Sequence, residues 1–174
     1  YWNTSVQPEW NATQHYEVNE ELNKKLRSQG IAARLIAPSE GVIKGRSALV
    51  TTADTRMPDA VIRANVALHI RLTVKRQSHG KQEYPSSPMG AVALARQAMH
   101  DSLWYHQAQA TYQSNRLPPP EHNDSLAVLK EYFNGQQLVI IDAPDEQYFL
   151  RADRFAHEFS LRAVMRSSGH EYRR

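Results

Sequence analysis

Asp142 is the residue whose position points most directly to chemistry. It follows the apolar run Leu138–Ile141, which is typical of a strand that is buried on both faces. Parallel-sheet folds place catalytic groups and ligands at the carboxyl ends of such strands. The alternative is a helix cap, because Pro144, Asp145 and Glu146 follow, and proline and carboxylates are favoured at a helix start. The cap is the preferred interpretation, and the catalytic one stays open.

A second position of the same kind follows the next apolar segment. Leu161–Met165 is predicted to be a strand, and Ser167, Ser168, Gly169 and His170 come after it. The glycine and the hydroxyl groups are suited to binding an anion at the start of a following helix. A plain turn between a strand and a helix is the favoured alternative.

The familiar metal and nucleotide motifs are absent from the sequence. The chain has eight histidines, but neither a His-x-His nor a His-Glu-x-x-His pattern occurs. The absence of cysteine excludes disulfides, thiolate zinc sites and a cysteine nucleophile. Glycine-rich phosphate loops and the Gly-x-Ser-x-Gly elbow are missing as well. Structural or surface roles are therefore favoured for the histidines.

A strand, a helix and a strand must position Asp142. Four residues line one face of the predicted helix at spacings of three or four: Phe149, Ala152, Ala156 and Phe159. This helix joins Leu138–Ile141 to Leu161–Met165, and such a parallel crossover is almost always right-handed. Ile31–Ile36 is predicted to be a third central parallel strand. The fold class is therefore α/β.

The rest of the chain divides into three regions of one predicted α/β domain, residues 1–174. Residues 1–16 form a surface arm, residues 39–85 a β-rich and loop region, and residues 86–174 a helical and strand–helix–strand part. A small β-rich insertion is expected around residues 42–75, where Asn65–Val74 alternates as a half-buried antiparallel strand. One helix is predicted at Pro88–Gln113, and a hydroxyl group is expected to cap its start. Another helix is predicted at about Asn123–Phe133.

Composition limits the classes of partner. Lysine and arginine number 21 and aspartate and glutamate 18, which gives a formal net charge of +3 without basic runs. No nucleic-acid partner is expected, because such proteins carry a clustered basic footprint. No run approaches the roughly 20 apolar residues of a membrane span. The absence of cysteine does not fix a compartment, and a periplasmic or extracellular location is favoured over a cytoplasmic one.

Three segments carry a resemblance to a known family: GRSALV (45–50), YPSSPMGAVALARQAMHDSLWY (84–105) and DEQYFLRADRFAHEFSLRAVMRSSGHEYR (145–173). In this order they resemble the imidazolonepropionase-like branch of the amidohydrolase superfamily. The resemblance implies part of a (β/α)8 barrel that hydrolyses the C–N bond of a small amide or cyclic amide. It also implies that a metal-held water attacks the amide carbon, and that strand-end histidines bind the metal.

The sequence departs from that pattern at the strand ends. Asp142 stands where a strand-end histidine is expected, Arg166–Ser168 replace a second one, and His170 is displaced from it. Asp142 and His170 are therefore the candidate metal-binding and catalytic residues. We expect no zinc in this segment alone, and zinc only in a complete family protein. Because eight strands close such a barrel, the chain is expected to join the rest of a longer polypeptide or to form a homo-oligomer. The alternative function is a binding or scaffolding module without the metal site.

Overall fold

Two β-sheets and four α-helices make up the part of the chain that the structure describes. The computed structural model describes residues 1–56, 59–74, 84–115, 118–170 and 172. The strands are β1 (Ala33–Ile36), β2 (Ile43–Arg46), β3 (Ala48–Thr51), β4 (Val61–Arg63), β5 (Leu68–Arg71), β6 (Leu138–Ala143) and β7 (Arg162–Ser167). The helices are α1 (Glu20–Ser28), α2 (Pro88–Asn115), α3 (Asp124–Leu129) and α4 (Glu146–Glu158), with 3-10 helices at Ala12–His15 and Lys130–Gly135.

The predicted strand–helix–strand unit is confirmed. β6 and β7 pair in parallel, in a continuous register from Leu138 opposite Arg162 to Ala143 opposite Ser167. Helix α4 connects them, and its Ala152, Phe155 and Ala156 side chains are buried. The α/β class is therefore correct, and β6 has the buried character that its apolar run predicts.

The central sheet has the strand order β2-β5-β6-β7, and β5, β6 and β7 are its parallel members. β2 pairs antiparallel with β5 at one edge. Within the described residues this sheet is open and does not close into a barrel. The carboxyl ends of three parallel strands consequently meet along one edge.

The prediction of a central parallel strand at Ile31–Ile36 is wrong. β1 begins at Ala33 and pairs antiparallel with β3, in a separate sheet of order β1-β3-β4. A short apolar run has the same appearance in either kind of sheet, and only its distant partner decides the direction.

The expected insertion at residues 42–75 is divided between the two sheets. The prediction of a half-buried antiparallel strand at Asn65–Val74 is wrong in part: β5 does pair antiparallel with β2, but it lies inside the central sheet and pairs in parallel with β6. Leu68, His69 and Ile70 are all buried, so both faces of β5 are covered. Apolar and polar residues alternate along this strand, which normally indicates one exposed face. His69 is a polar residue on a face that is in fact buried, so the alternation is misleading. Residues 57–58 and 75–83 of this region lie outside the described residues.

The predicted surface arm, residues 1–16, packs along β2 instead. Val6 is buried in the main core, and Gln7 N donates to the Ile43 carbonyl at 2.9 Å. Further along, Arg46 N donates to the Trp10 carbonyl at 2.8 Å. Isolated bridges of this kind leave no periodic pattern in a sequence, so pattern analysis does not detect them.

Helix α2 supplies the largest helical contribution to the core. Its buried stripe is Ala91, Leu94, Ala95, Ala98, Met99, Ser102 and Tyr105. Ser87 Oγ accepts from Gly90 N at 3.1 Å, which confirms the hydroxyl cap. Asn123 caps α3 by accepting from Leu126 N at 3.1 Å. No helix in the described ranges has the length and apolar character to cross a bilayer.

Candidate functional site

The candidate site lies at the carboxyl edge of the central sheet, around Asp142. Arg71, Asp142 and Arg166 stand in register on β5, β6 and β7. Residues in register on parallel strands point to the same face of a sheet. Lys44 reaches the same carboxylate from β2. Three cations from three strands therefore surround one carboxylate.

The contacts are close and they differ in exposure. Lys44 Nζ lies 2.5 Å from Asp142 Oδ2, and Arg71 Nε lies 3.4 Å from the same oxygen. Arg166 Nη2 lies 2.7 Å from Oδ1. The side chains of Lys44 and Asp142 are 2% and 10% exposed, whereas those of Arg71 and Arg166 are 21% and 64% exposed. Lys44 is thus the inner cation, Arg71 is half-buried and Arg166 is exposed.

A β-bulge directs Lys44 to this position. Ile43 pairs with Ile70 and Gly45 with His69, so two steps along β2 match one step along β5. The extra residue is Lys44. A bulge of this kind turns a side chain away from the regular alternation of its strand. Gly45 accommodates it with a φ of +117°, a conformation that residues with a Cβ rarely adopt.

The electrostatics favour an ionised Asp142. Burial alone raises the pKa of this carboxyl group. The hydrogen bond from Lys44 and the positive charges of Lys44 and Arg166 together outweigh burial, so the net pKa is below the ordinary value. Burial lowers the pKa of Lys44, and the contact with Asp142 opposes that effect. Three positive charges against one negative leave an excess of two.

His69 lies on the same face of β5 as Arg71, two residues before it. Its ring is buried, and within the described residues its Nε2 atom has no hydrogen-bond partner. Burial, followed by the charge of Lys44, lowers the pKa of His69 to about 4. The ring is therefore neutral at pH 7 and adds no charge to the cluster.

A cleft of about 410 Å³ opens over the cluster. Its lining comes from the ends of three parallel strands and the segments that follow them: Arg71, Thr73, Val74, Asp142, Ala143, Pro144, Arg166, Ser167 and Ser168. Helix α4 begins two residues after Pro144, but Asp145 and Glu146 offset the positive end of its dipole, so the positive charge at the cleft comes from the strand cations. The arrangement is suited to holding a small anion.

The predicted site residues are only partly brought together. Asp142, Ser167 and Ser168 all line the cleft, whereas His170 is exposed and is not among the described lining residues. The preferred interpretation of Asp142 as a helix cap is wrong. The cap of α4 is Asp145, which accepts from Tyr148 N at 2.9 Å. Asp142 is instead the penultimate residue of β6 and is held by cations.

Sequence reasoning missed Lys44 and Arg71. Arg71 carries a recognisable signal, because it is a charged residue that ends an apolar strand, as Asp142 does. Lys44 carries none, since a bulge and a separation of 98 residues bring it to Asp142.

The donor set does not fit a catalytic zinc ion. Such an ion needs about three protein ligands and an open position for water. Asp142 contacts cationic side chains through both oxygens, and a metal would have to displace them. His170 stands outside the cleft lining, and the described residues contain no group of three His, Cys, Asp or Glu side chains arranged to hold a metal.

Comparison with known proteins supports the fold. No protein-family model matches the sequence, and no curated protein sequence matches it. Among solved structures, an amidohydrolase from Thermotoga maritima MSB8 is similar, with a TM-score of 0.78 and 15% sequence identity. The similarity covers 94% of this chain and 44% of that protein, so this chain spans less than half of its length. At this identity the likeness is one of fold: the chain has an amidohydrolase-like α/β architecture.

Proposed function

We propose that this chain is a segment of an amidohydrolase-like protein of the imidazolonepropionase-like branch. In that proposal it forms part of the ligand-binding edge and does not hydrolyse amides by itself. The observation that carries the proposal is the in-register row Arg71, Asp142 and Arg166 at the carboxyl ends of three parallel strands. This is the edge at which parallel α/β folds bind their ligands. The fold similarity to an amidohydrolase supports the reaction class.

The isolated chain is expected to be catalytically inactive because of the potential metal ligands that it offers at this edge. A water-activating metal site needs about three protein ligands that converge on the metal. Asp142 is instead paired with Lys44, and His170 is exposed, so the two candidate residues do not form such a site. Zinc, if the complete protein uses it, is bound through residues outside this chain. What the chain contributes is positive charge and hydroxyl groups that hold a substrate.

The expected partner is the rest of a parent polypeptide or a second copy of the chain. β7 pairs with β6 along one side, and no other described strand pairs with it. Val164 of β7 is 52% exposed. Open strand edges and exposed apolar residues are usually covered in native proteins. Light scattering tests this: a dimer or larger species is expected, and a monodisperse 19.9 kDa species contradicts it.

The test of the function uses the isolated chain and the product of its complete gene. Each is equilibrated with zinc and assayed for metal content and for hydrolysis of N-acyl amino acids, dipeptides and cyclic amides. The isolated chain is expected to show neither stoichiometric zinc nor turnover, and the complete product to hydrolyse part of the panel. Tight zinc with turnover in the isolated chain, lost in His170→Ala, contradicts the proposal.

A second candidate is a binding module without hydrolysis. The excess of two positive charges around Asp142 favours it, because this arrangement holds an anion without any need for a metal. A complete gene product that binds small anions and hydrolyses nothing in the panel supports this alternative.

A further inference from the structure

Helices α2 and α4 leave a groove between them that is separate from the cleft over Asp142. Its volume is about 840 Å³, and among the described residues it shares no lining residue with that cleft. The lining comes from the start of α2 and from most of α4: Ser87, Pro88, Met89, Val92, Ala93, Arg96, Gln147, Tyr148, Arg151, Arg154, Phe155 and Glu158. The groove is therefore a second concave surface, which the proposed function does not use.

The deeper part of this groove is apolar. The Phe155 side chain is buried, and Val92 and Tyr148 are half-buried. Met89 is 82% exposed, the highest value among the large hydrophobic side chains in the described part of the chain. Exposed apolar surface that is contiguous with a groove is typical of an interaction site.

Exposed arginines surround the apolar surface. Glu158 is the single carboxylate among the described lining residues, and Arg96 binds both of its oxygens at 2.6–2.9 Å. Arg151 lies over the Tyr148 ring, with Cζ 4.8 Å from the ring centroid. Neither Arg151 nor Arg154 forms an ion pair with a described residue. Three arginines against one glutamate leave the groove an excess of two positive charges.

The residue types of the lining favour a polypeptide partner. Arginine, methionine and aromatic residues are enriched in protein interfaces, whereas lysine and aspartate are depleted. The described lining has three arginines, a methionine, a tyrosine and a phenylalanine, and neither lysine nor aspartate. The part that α4 contributes, from Gln147 to Glu158, is about 16 Å long, which matches a helix of about eleven residues. An amphipathic helix binds with its apolar face in a groove of this kind.

We propose that the groove between α2 and α4 binds an acidic amphipathic helix of a partner protein. The apolar face of that helix packs on Met89, Val92 and Phe155, and its carboxylates bind Arg151 and Arg154. Helix α1 of a second copy does not have this character, because it carries two glutamates against three basic residues. The groove is small for a protein interface, so a dissociation constant on the order of micromolar is expected. The proposal does not depend on the hydrolytic function.

The probe is a fluorescently labelled helical peptide of about 12 residues, held by lactam bridges because isolated helices of this length are marginal in water. Leucines form one face and glutamates flank it, and a twin peptide carries lysine in place of each glutamate. Fluorescence anisotropy with the 174-residue chain is expected to show saturable binding of the acidic peptide, and binding of the lysine twin that is at least about tenfold weaker. Equal affinities, or no saturable binding of the acidic peptide, overturn the proposal.

Decanoate, a single apolar chain with one carboxylate, tests for a lipid-like ligand. It is expected to bind far more weakly than the acidic peptide, because it offers one carboxylate to two arginines. Saturable binding of decanoate without binding of the peptide overturns the proposal in favour of a small amphiphile.

Arg154→Gln and Arg162→Gln are matched charge variants. Both side chains are exposed, but Arg162 begins β7 and is not among the described residues that line the groove. Arg154→Gln is expected to weaken binding of the acidic peptide about tenfold, and Arg162→Gln to leave it within about twofold. Equal losses would show a diffuse charge effect and overturn the site. Circular dichroism establishes that both variants are folded.

Met89→Asp tests the apolar contact, and the exposure of Met89 makes the variant safe for folding. The new carboxylate faces the acidic peptide and is expected to weaken its binding at least about tenfold. Leu150→Asp is the control, because Leu150 is 49% exposed on α4 and is not among the described lining residues. It is expected to leave binding within about twofold. Unchanged binding in Met89→Asp contradicts the proposal.

Discussion

Lys44 Nζ lies 2.5 Å from Asp142 Oδ2, and the side chains of both residues are almost fully buried. The contact joins β2 to β6 across the intervening strand β5. A buried charge without its partner is strongly destabilising, even where the intact pair contributes little. The same ion pair therefore stabilises the packing of β2 near β6 and sets the charge beside the cleft.

Removal of Asp142 is expected to cost far more than removal of the helix cap three residues later. Asp142→Ala leaves Lys44 buried without a counter-ion, which is expected to lower the free energy of unfolding by about 3–5 kcal/mol. Asp145→Ala removes only the cap of α4, for about 1 kcal/mol. Urea unfolding measures both. Similar losses in the two variants would show that Asp142 has no special electrostatic role.

The double variant Lys44→Met with Asp142→Leu distinguishes two effects on stability: the loss of the ion pair, and the burial of a charge that has no partner. Both charges are gone, so the variant is expected to be more stable than Asp142→Ala, since replacing a buried ion pair by apolar residues is often neutral. A double-mutant cycle in urea gives the coupling energy. Additive losses would contradict the direct interaction between the two side chains.

The bulge that directs Lys44 depends on Gly45. A Cβ at this position would lie 2.6 Å from the Trp10 carbonyl oxygen, in a residue whose φ is +117°. Gly45→Ala is therefore expected to lower the free energy of unfolding by about 3 kcal/mol, through both strain and overpacking. The measurement is again urea unfolding.

Gly30 provides the matched control for that variant. Its φ is +82°, yet a Cβ added at this position would meet no atom within 4 Å, so Gly30→Ala carries the conformational cost alone, about 1 kcal/mol. Equal losses at Gly30 and Gly45 would show that residues 1–16 do not press against β2 in solution.

Local patterns predict the elements that are contiguous in sequence. The run Leu138–Ile141, the helix after it and Leu161–Met165 form one crossover, and each step lies within about thirty residues, where hydrophobic periodicity and handedness are informative. The hydroxyl cap at Ser87 is predictable for the same reason, since it depends on a few neighbouring residues.

Long-range pairing is not predictable in this way. β5 enters the central sheet by pairing with β6, about seventy residues later, and Val6 joins the core through an isolated bridge. The same limit applies to the site. Asp142 is recognisable as a strand-end residue, but a bulge places its inner partner, Lys44. His170 comes three residues after the end of β7 and is not among the residues that line the cleft.

His69 makes stability depend on pH in a defined window. Burial and the charge of Lys44 hold its pKa at about 4 in the folded chain, against 6.5 for an unperturbed histidine. Between these values the unfolded state binds more protons, so the contribution of His69 to stability is complete above pH 6.5 and is lost as the pH falls towards 4. The difference corresponds to about 3 kcal/mol. Asp142, Lys44 and Arg166 are the charged groups that act on the ring.

The variant His69→Gln removes this titration and keeps a polar side chain of similar size. Urea unfolding of the wild type and the variant is compared at intervals from about pH 7.5 to about pH 4. The wild type is expected to lose stability relative to the variant as the pH falls, because only the wild type loses the histidine contribution. Carboxylates titrate in both proteins and cancel in the difference. Parallel curves would show that His69 takes up a proton as readily in the folded chain as in the unfolded one, which is incompatible with a neutral ring buried beneath the cations of the cleft.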